Sequence, residues 1–287
     1  MTAAAPRSIG VDLAWGEGTA SRPPAETGLA VLDADGRVLD ATWARGVYAV
    51  HAWLREWTTP GSVVAVDAPL LLPNASGMRP AEREVGRGYG RWHVSANASH
   101  AGMPWQAGRR LRELLEADGV AVDDGLAPHP AGTTTVFECY PYTTLVGVEE
   151  LGYEDRRPRY KRPDRSLPTP ADRRAARAVA CDDLLARLDR LSGATPALDL
   201  CAHPASAALV DEASPLVDRA YKHREDLLDA LVAAWTAALR RHAPGRLQVL
   251  GATSEPVPEA RGRRATILAP ARPGQRVAGA PSPLPLA

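Results

Sequence analysis

Two apolar stretches, each closed by an aspartate, constrain this chain more than any other feature of its sequence. Ser8-Ile9-Gly10-Val11-Asp12 runs into a Gly-containing loop at Leu13-Ala14-Trp15-Gly16, and Ser62-Val63-Val64-Ala65-Val66-Asp67 repeats the design before Ala68-Pro69. Aspartate is depleted in strands, and an ionised carboxylate in an apolar strand is costly unless something compensates it. The two stretches read as buried strands, and the question they pose is what sits between their carboxylates.

The segments around them supply a frame. Thr27–Leu32 and Arg37–Trp43 read as strands joined at Asp33-Ala34-Asp35-Gly36, a turn signal because Asp-Gly tolerates positive φ. With the Asp12 strand they make an antiparallel meander. Val47, Val50, Leu54 and Trp57 then fall on one side of a helix. Strand, helix and strand imply a right-handed crossover, so the Asp67 strand runs parallel to the Asp12 strand. If the two are neighbours, both acids lie at carboxyl ends, where open α/β sheets bind ligands, about 4.8 Å apart.

Residues 70–132 break the alternation and read as an insertion over the carboxyl edge, with one helix at Gln106–Ala117. Arg79, Arg83, Arg87 and Arg91 recur every fourth residue, either as a solvated helical face or as phosphate contacts. Thr133–Pro141 is a fifth strand that again ends in an acid, Glu138. A basic, Pro-broken run follows at Asp155–Pro163, an exposed loop or a phosphate-binding one. Helices are expected over Pro170–Leu191, with Ala176, Val179, Leu184, Leu185 and Leu188 inward, and over Arg224–Arg241. Residues 193–222 are ambiguous, and Ala265–Ala269 reads as an edge strand or a docked extension. The fold class is therefore α/β: a mixed five-stranded sheet, three antiparallel strands and then parallel ones, with flanking helices. It forms a single domain over 8–269, and the Pro/Gly/Ala-rich tail at 270–287 is expected to be disordered.

Charge and cysteines narrow the function classes. The formal net charge is +0, so bulk charge does not draw the chain to nucleic acid and any such binding needs a local patch. Lys161 and Lys222 are the only lysines; the arginine excess reads first as coding bias and second as phosphate recognition. Cys139, Cys181 and Cys201 form no CxxC pair and support neither a disulfide framework nor a zinc site. Without an apolar leader at Met1–Ser8 or a segment long enough to span a bilayer, a cytoplasmic, reduced protein is expected.

On the late helix, Leu228, Leu231, Val232, Trp235 and Leu239 define one face at about 100° per residue, with Asp229 at its margin and not fully buried. Glu225 is better read as complementing the helix dipole; Asp226 is open between that and a site role. Glu138 has the alternative of pairing with an arginine of the 156–165 run. Taken together, Asp12, Asp67, Glu138 and Asp229 form a set of oxygen donors with no His or Cys cluster, which selects Mg²⁺ or Mn²⁺ over zinc. Without a cation the carboxylates would raise one another's pKa; with two cations about 4 Å apart they form a clamp for attack on a phosphodiester.

Gly10–Gly16 followed by Thr27–Leu32 resembles the opening of ribonuclease H-like proteins. More closely, with Val66-Asp67-Ala68-Pro69-Leu70, Glu138-Cys139-Tyr140-Pro141, Tyr160-Lys161 and Asp229–Ala234, the chain is similar to the domain-of-unknown-function 429 family, described as predicted nucleases of that fold. The resemblance implies metal binding by Asp12, Asp67 and Asp229, with Asp226 matching the earlier acid of the D-x-x-D-A pattern of Holliday-junction resolvases. Glu138 belongs to the narrower family's motif, and the segment Arg79–Arg83 matches only loosely. The expected function is a metal-dependent nuclease on DNA or RNA, with Asp12, Asp67, Asp229 and Glu138 in the site and Lys161 or nearby arginines on phosphate. A phosphotransferase of the actin and sugar-kinase type shares the strand-Asp opening but needs an Asp-Gly-Gly-Gly-Thr-like loop that this sequence lacks. A non-catalytic protein that keeps the fold and a cation site is the third reading.

Overall fold

The computed structural model describes residues 5–19, 21–162 and 164–286. The meander forms as β1 (Ser8–Asp12), β2 (Glu26–Leu32) and β3 (Val38–Arg45), antiparallel throughout. Its turn is built as Asp-Gly chemistry requires: Asp33 Oδ1 accepts from the N–H groups of Asp35 and Arg37, and Gly36 takes φ 82°. Then come α1 (Val47–Trp57) and β4 (Val63–Val66), which returns parallel to β1. The segment over the carboxyl edge holds α2 (Pro80–Tyr89), α3 (Ala107–Ala117) and β5 (Ala121–Val122), and β6 (Thr135–Glu138) lies parallel to β4.

The C-terminal half is mostly helical: α4 (Pro141–Gly147), α5 (Pro170–Asp189), α6 (Pro204–Asp211) and α7 (Asp218–His242). After it, β7 (Leu247–Leu250) pairs with β10 (Ile267–Pro270), and β8 (Pro256–Val257) pairs with β9 (Arg263–Arg264). The main sheet has the order β3-β2-β1-β4-β6-β5. The five expected strands are joined by β5, whose two residues are too few to show an alternation; the arrangement is compatible with a ribonuclease H-like fold.

Side-chain parity splits the core in two. Ile9, Val11, Leu29, Val31, Val64, Val66 and Val136 pack under α1 and α3, while Ala30, Leu32, Val63, Ala65 and Phe137 pack under α7 and its neighbours. The second face admits α7 unusually closely. A Cβ on Gly10 would stand 2.0 Å from the Ala230 carbonyl oxygen, and one on Gly28 would stand 2.0 Å from that of Asp226. Glycine at these two strand positions lets helix backbone rest on sheet backbone.

Three expectations change. The tail is docked, because Pro281 O accepts from Val249 N–H, Gly125 O accepts from Leu284 N–H, and Gln275 is fully buried. Composition counts the tail's side chains and misses that its backbone completes the exposed edge of β7. Ala265–Ala269 does end in an edge strand, since β10 pairs with β7 alone, although it is buried along its length. On α5 it is Ala178 and Cys181 that face inward, leaving Val179 68% exposed. Arg79 is no part of a solvated stripe; it is buried at the start of α2. Among the described residues, no helix is long and apolar enough to cross a membrane.

Candidate metal centre

The β1–β4 register places the first two acids. Val11 pairs with Val66, and Asp67 N–H donates to Val11 O at 2.8 Å, so Asp12 and Asp67 leave the sheet side by side. By the two-residue period they share a face with Gly10 and Ala65, toward α7. The close seat of α7 on Gly10 and Gly28 then delivers Asp229, and one carboxylate oxygen from each of Asp12, Asp67 and Asp229 lies within 4.8 Å of the other two. Asp229 is fully buried, not marginal, because α7 is covered all round from Arg224 to Arg240.

Two lysines face these acids. Lys161 Nζ lies 2.5 Å from Asp229 Oδ2 and 3.8 Å from Asp67 Oδ2. Its neighbour Tyr160 donates its hydroxyl to Asp229 Oδ1 at 2.5 Å, and Tyr221 donates to Tyr160 O at 2.5 Å, which pins the loop to α7 at both ends of this dipeptide. Lys222 Nζ lies 2.5 Å from Asp226 Oδ1 and 3.1 Å from Glu225 Oε1. Asp226 thus stands beside Asp12 but outside the three-oxygen group.

The electrostatics follow from burial and like charge. Burial, opposed by Lys161 and reinforced by Asp12, pushes the Asp229 carboxyl up to about 7. Burial and then Asp12 push Asp226 up to about 8 against the pull of Lys222. Asp67 is likewise held well above the carboxyl range, by burial first, against the pull of Lys161. Burial alone would lower Lys161, but Asp229, Asp67 and Asp12 outweigh it and hold the ammonium well above its ordinary value. Five carboxyl groups (Asp12, Asp67, Glu225, Asp226, Asp229) face two ammonium groups, so full ionisation leaves a net charge of 2 − 5 = −3.

A hard divalent cation fits this donor set. Oxygens around one Mg²⁺ stand at most about 4.2 Å apart, twice its metal–oxygen distance, so three oxygens within 4.8 Å of one another need to draw in by no more than about 0.6 Å to hold it. The Lys161 ammonium already occupies a cation's electrostatic place against Asp67 and Asp229, and Asp229 Oδ2 receives no well-formed hydrogen bond from it.

Glu138 stands outside the three-oxygen group, although it lines one small cavity with Asp67. The register pairs it with Val66 rather than Asp67, so its side chain emerges on the opposite face. A one-residue offset reverses the side of every side chain, and the residue in step with Asp67 is Cys139, whose N–H donates to Val66 O. Glu138 is held by Arg79 at 2.8 and 2.5 Å and by Leu70 N–H at 3.2 Å, so its partner is not from the 156–165 run.

Residues 10–255 match the profile of a family described as Protein of unknown function (DUF429). The chain belongs to the DUF429 family. The matched range of this DUF429 member includes every acid and both lysines of the centre. Neither the curated proteins nor the solved structures yield a match.

Sequence reasoning missed Lys222, Gly10 and Gly28. A signal for the lysine existed: a chain with 34 basic residues holds two lysines, and both stand in one carboxylate cluster. A compact ammonium has no preferred plane, so it can face carboxylates that arrive from different elements.

Proposed function

We propose that this chain is a divalent-cation-dependent phosphodiesterase acting on nucleic acid, in which Asp12, Asp67 and Asp229 hold Mg²⁺ or Mn²⁺. The observation that carries the reading is the convergence of those three carboxylates from two strands and a helix onto one point, with Asp229 buried and Asp12 and Asp67 half-buried. Bound there, the cation supplies Lewis-acid polarisation of a phosphoryl group and neutralisation of its charge. Asp12 and Asp67 hold fixed positions because each ends a strand of the same parallel pair. Tyr160 engages Asp229 Oδ1 and so aims Oδ2 into the site. Lys161, a flexible point charge, is positioned to exchange the carboxylates for a substrate phosphate. Asp226, beside Asp12, is the acid available for a second cation.

The test is cleavage of labelled DNA and RNA oligonucleotides with Mn²⁺ or Mg²⁺ by the wild type and Asp12→Asn. Losing an outer-shell partner typically costs 10–100-fold, so losing a direct ligand is expected to lower cleavage at least about 100-fold. Unchanged cleavage by Asp12→Asn rules the site out. Tight Mn²⁺ binding by a wild type that cleaves nothing favours a non-catalytic cation-binding protein instead.

A further inference from the structure

Between the loop after α4, the start of α5 and the turn at His93 lies an open cavity of about 740 Å³ whose lining is dominated by arginine. Seven arginines and one acid, Asp218, line it, in a chain whose basic and acidic residues are equal in number. Some of them build the walls. Arg157 donates to His93 O at 2.8 Å and Arg173 to Leu167 O at 2.8 Å, while Arg159 pairs with Asp164. The remaining four, Arg156, Arg162, Arg165 and Arg174, have no hydrogen-bond or ion-pair partner among the described residues, though the cavity gathers them together. Such crowding of like charge is unfavourable unless an anion offsets it.

One ring stands between a residue of the cavity and a residue of the carboxylate centre. The Arg157 guanidinium lies 4.2 Å from the Tyr142 ring centroid, and Lys161 Nζ lies 5.4 Å from the same centroid. On the other side of the centre, Trp15 donates its indole N–H to Asp67 O at 3.3 Å, and the Trp105 ring, 55% exposed, borders the same loop at Gly16. Guanidinium forks match phosphate oxygens, and an exposed indole offers a face to an unpaired base. A duplex keeps its bases stacked inside and has no use for that face.

We infer that the arginine cavity is the track for the phosphates of a single-stranded nucleic acid that crosses the carboxylate centre and stacks a base on Trp105. The crossing rests on the phosphodiesterase reading; the binding does not.

The experiment measures binding of a fluorescein-labelled single-stranded oligonucleotide to the full chain by anisotropy in EDTA, so that no cleavage occurs. Four phosphate contacts give a slope of about −0.7 per contact in log affinity against log salt, or about 50-fold weaker binding between 50 and 200 mM salt. Arg162→Ser with Arg174→Ser is expected to bind more weakly at low salt and to cut that salt loss to about 7-fold. Arg190→Ser, about 24 Å away at the far end of α5, is expected to match the wild type. Trp105→Ala is expected to weaken binding about tenfold with the salt slope kept. Salt-independent binding, an unchanged double variant, a duplex bound as tightly as the single strand, or polyglutamate competing as well as the oligonucleotide each overturn the track. Salt-dependent binding lost in the double variant, with no cleavage once Mn²⁺ is added, upholds the track and removes the phosphodiesterase reading. Cleavage by a double variant with undiminished binding removes the track alone.

Discussion

Arg79 holds two buried carboxylates at once, and the carboxyl end of β6 depends on it. Its Nε lies 2.9 Å from Glu82 Oε1, its two terminal nitrogens engage Glu138, and one of them also donates to Leu71 O at 3.0 Å. Glu82 accepts further from the backbone N–H groups of Arg79 and Ser99, so the cluster of one cation and two anions is closed by amides rather than water. Burial still raises the Glu138 carboxyl despite the guanidinium beside it. Removing the cation would strand both anions, and breaking a buried pair in this way costs about 3–5 kcal/mol. Arg79→Met is expected to lose that much stability in urea unfolding, Arg79→Lys is expected not to restore it because a point charge cannot span both carboxylates, and adding Glu138→Gln to Arg79→Met is expected to recover part of it. A loss below about 1 kcal/mol would mean that water reaches the carboxylates after all.

At the scale of elements, the decisive contact is α7 against β1 and β2. Gly10→Ala would put a methyl group 2.0 Å from Ala230 O and 2.1 Å from Ala234 N, and neither is a side chain that can rotate away. The helix must lift, at a cost of about 3 kcal/mol or more, which for a domain of this size lowers the melting temperature by roughly 6–10 °C. Because the same lift carries Asp226 and Asp229 away from Asp12, Mn²⁺ affinity is expected to fall with it. Gly86→Ala on α2, where a Cβ meets nothing within 4 Å, is expected to be stabilising by about 0.5–1 kcal/mol. Equal melting temperatures for the two variants would contradict this account of the helix seat. The contact also separates what the sequence reveals from what it hides. Period-two runs, the Asp-Gly turn and crossover handedness suffice for the meander, the parallel β4 and the adjacency of Asp12 and Asp67. Glu138 is misplaced because its strand can be recognised without its register, and one residue of register decides which face an acid takes. Asp229 looks marginal on a helical wheel because a wheel assumes one buried face, whereas α7 is enclosed between the sheet and its sister helices.

For the whole molecule, a net charge of +0 conceals a strong separation: excess carboxylate at the centre, excess guanidinium in the adjoining cavity. The acid side makes stability depend on pH in a direction opposite to that of ordinary paired carboxylates. Asp229 and Asp226 rise from 3.8 to about 7 and about 8, and Asp67 rises well above 3.8. Between the unfolded and folded values the native state binds more protons than the unfolded chain, so their contribution is fully present below 3.8 and is lost as pH climbs through about 7 to 8. Removing one of the like charges that raise the others should relieve this. In EDTA, the melting temperature of Asp12→Asn minus that of the wild type is expected to be positive and to grow from about pH 5 to about pH 8; taking the difference cancels groups elsewhere that titrate in the same window. A bound cation stabilises the ionised carboxylates in the native state alone, so saturating Mn²⁺ is expected to raise the wild-type melting temperature more at about pH 8 than at about pH 5 and to leave Asp12→Asn nearly unmoved. If the difference in EDTA instead shrinks with rising pH, the acids are ionised and paired in the metal-free protein. In that case the two lysines and the hydrogen bonds around them hold the centre together without a cation.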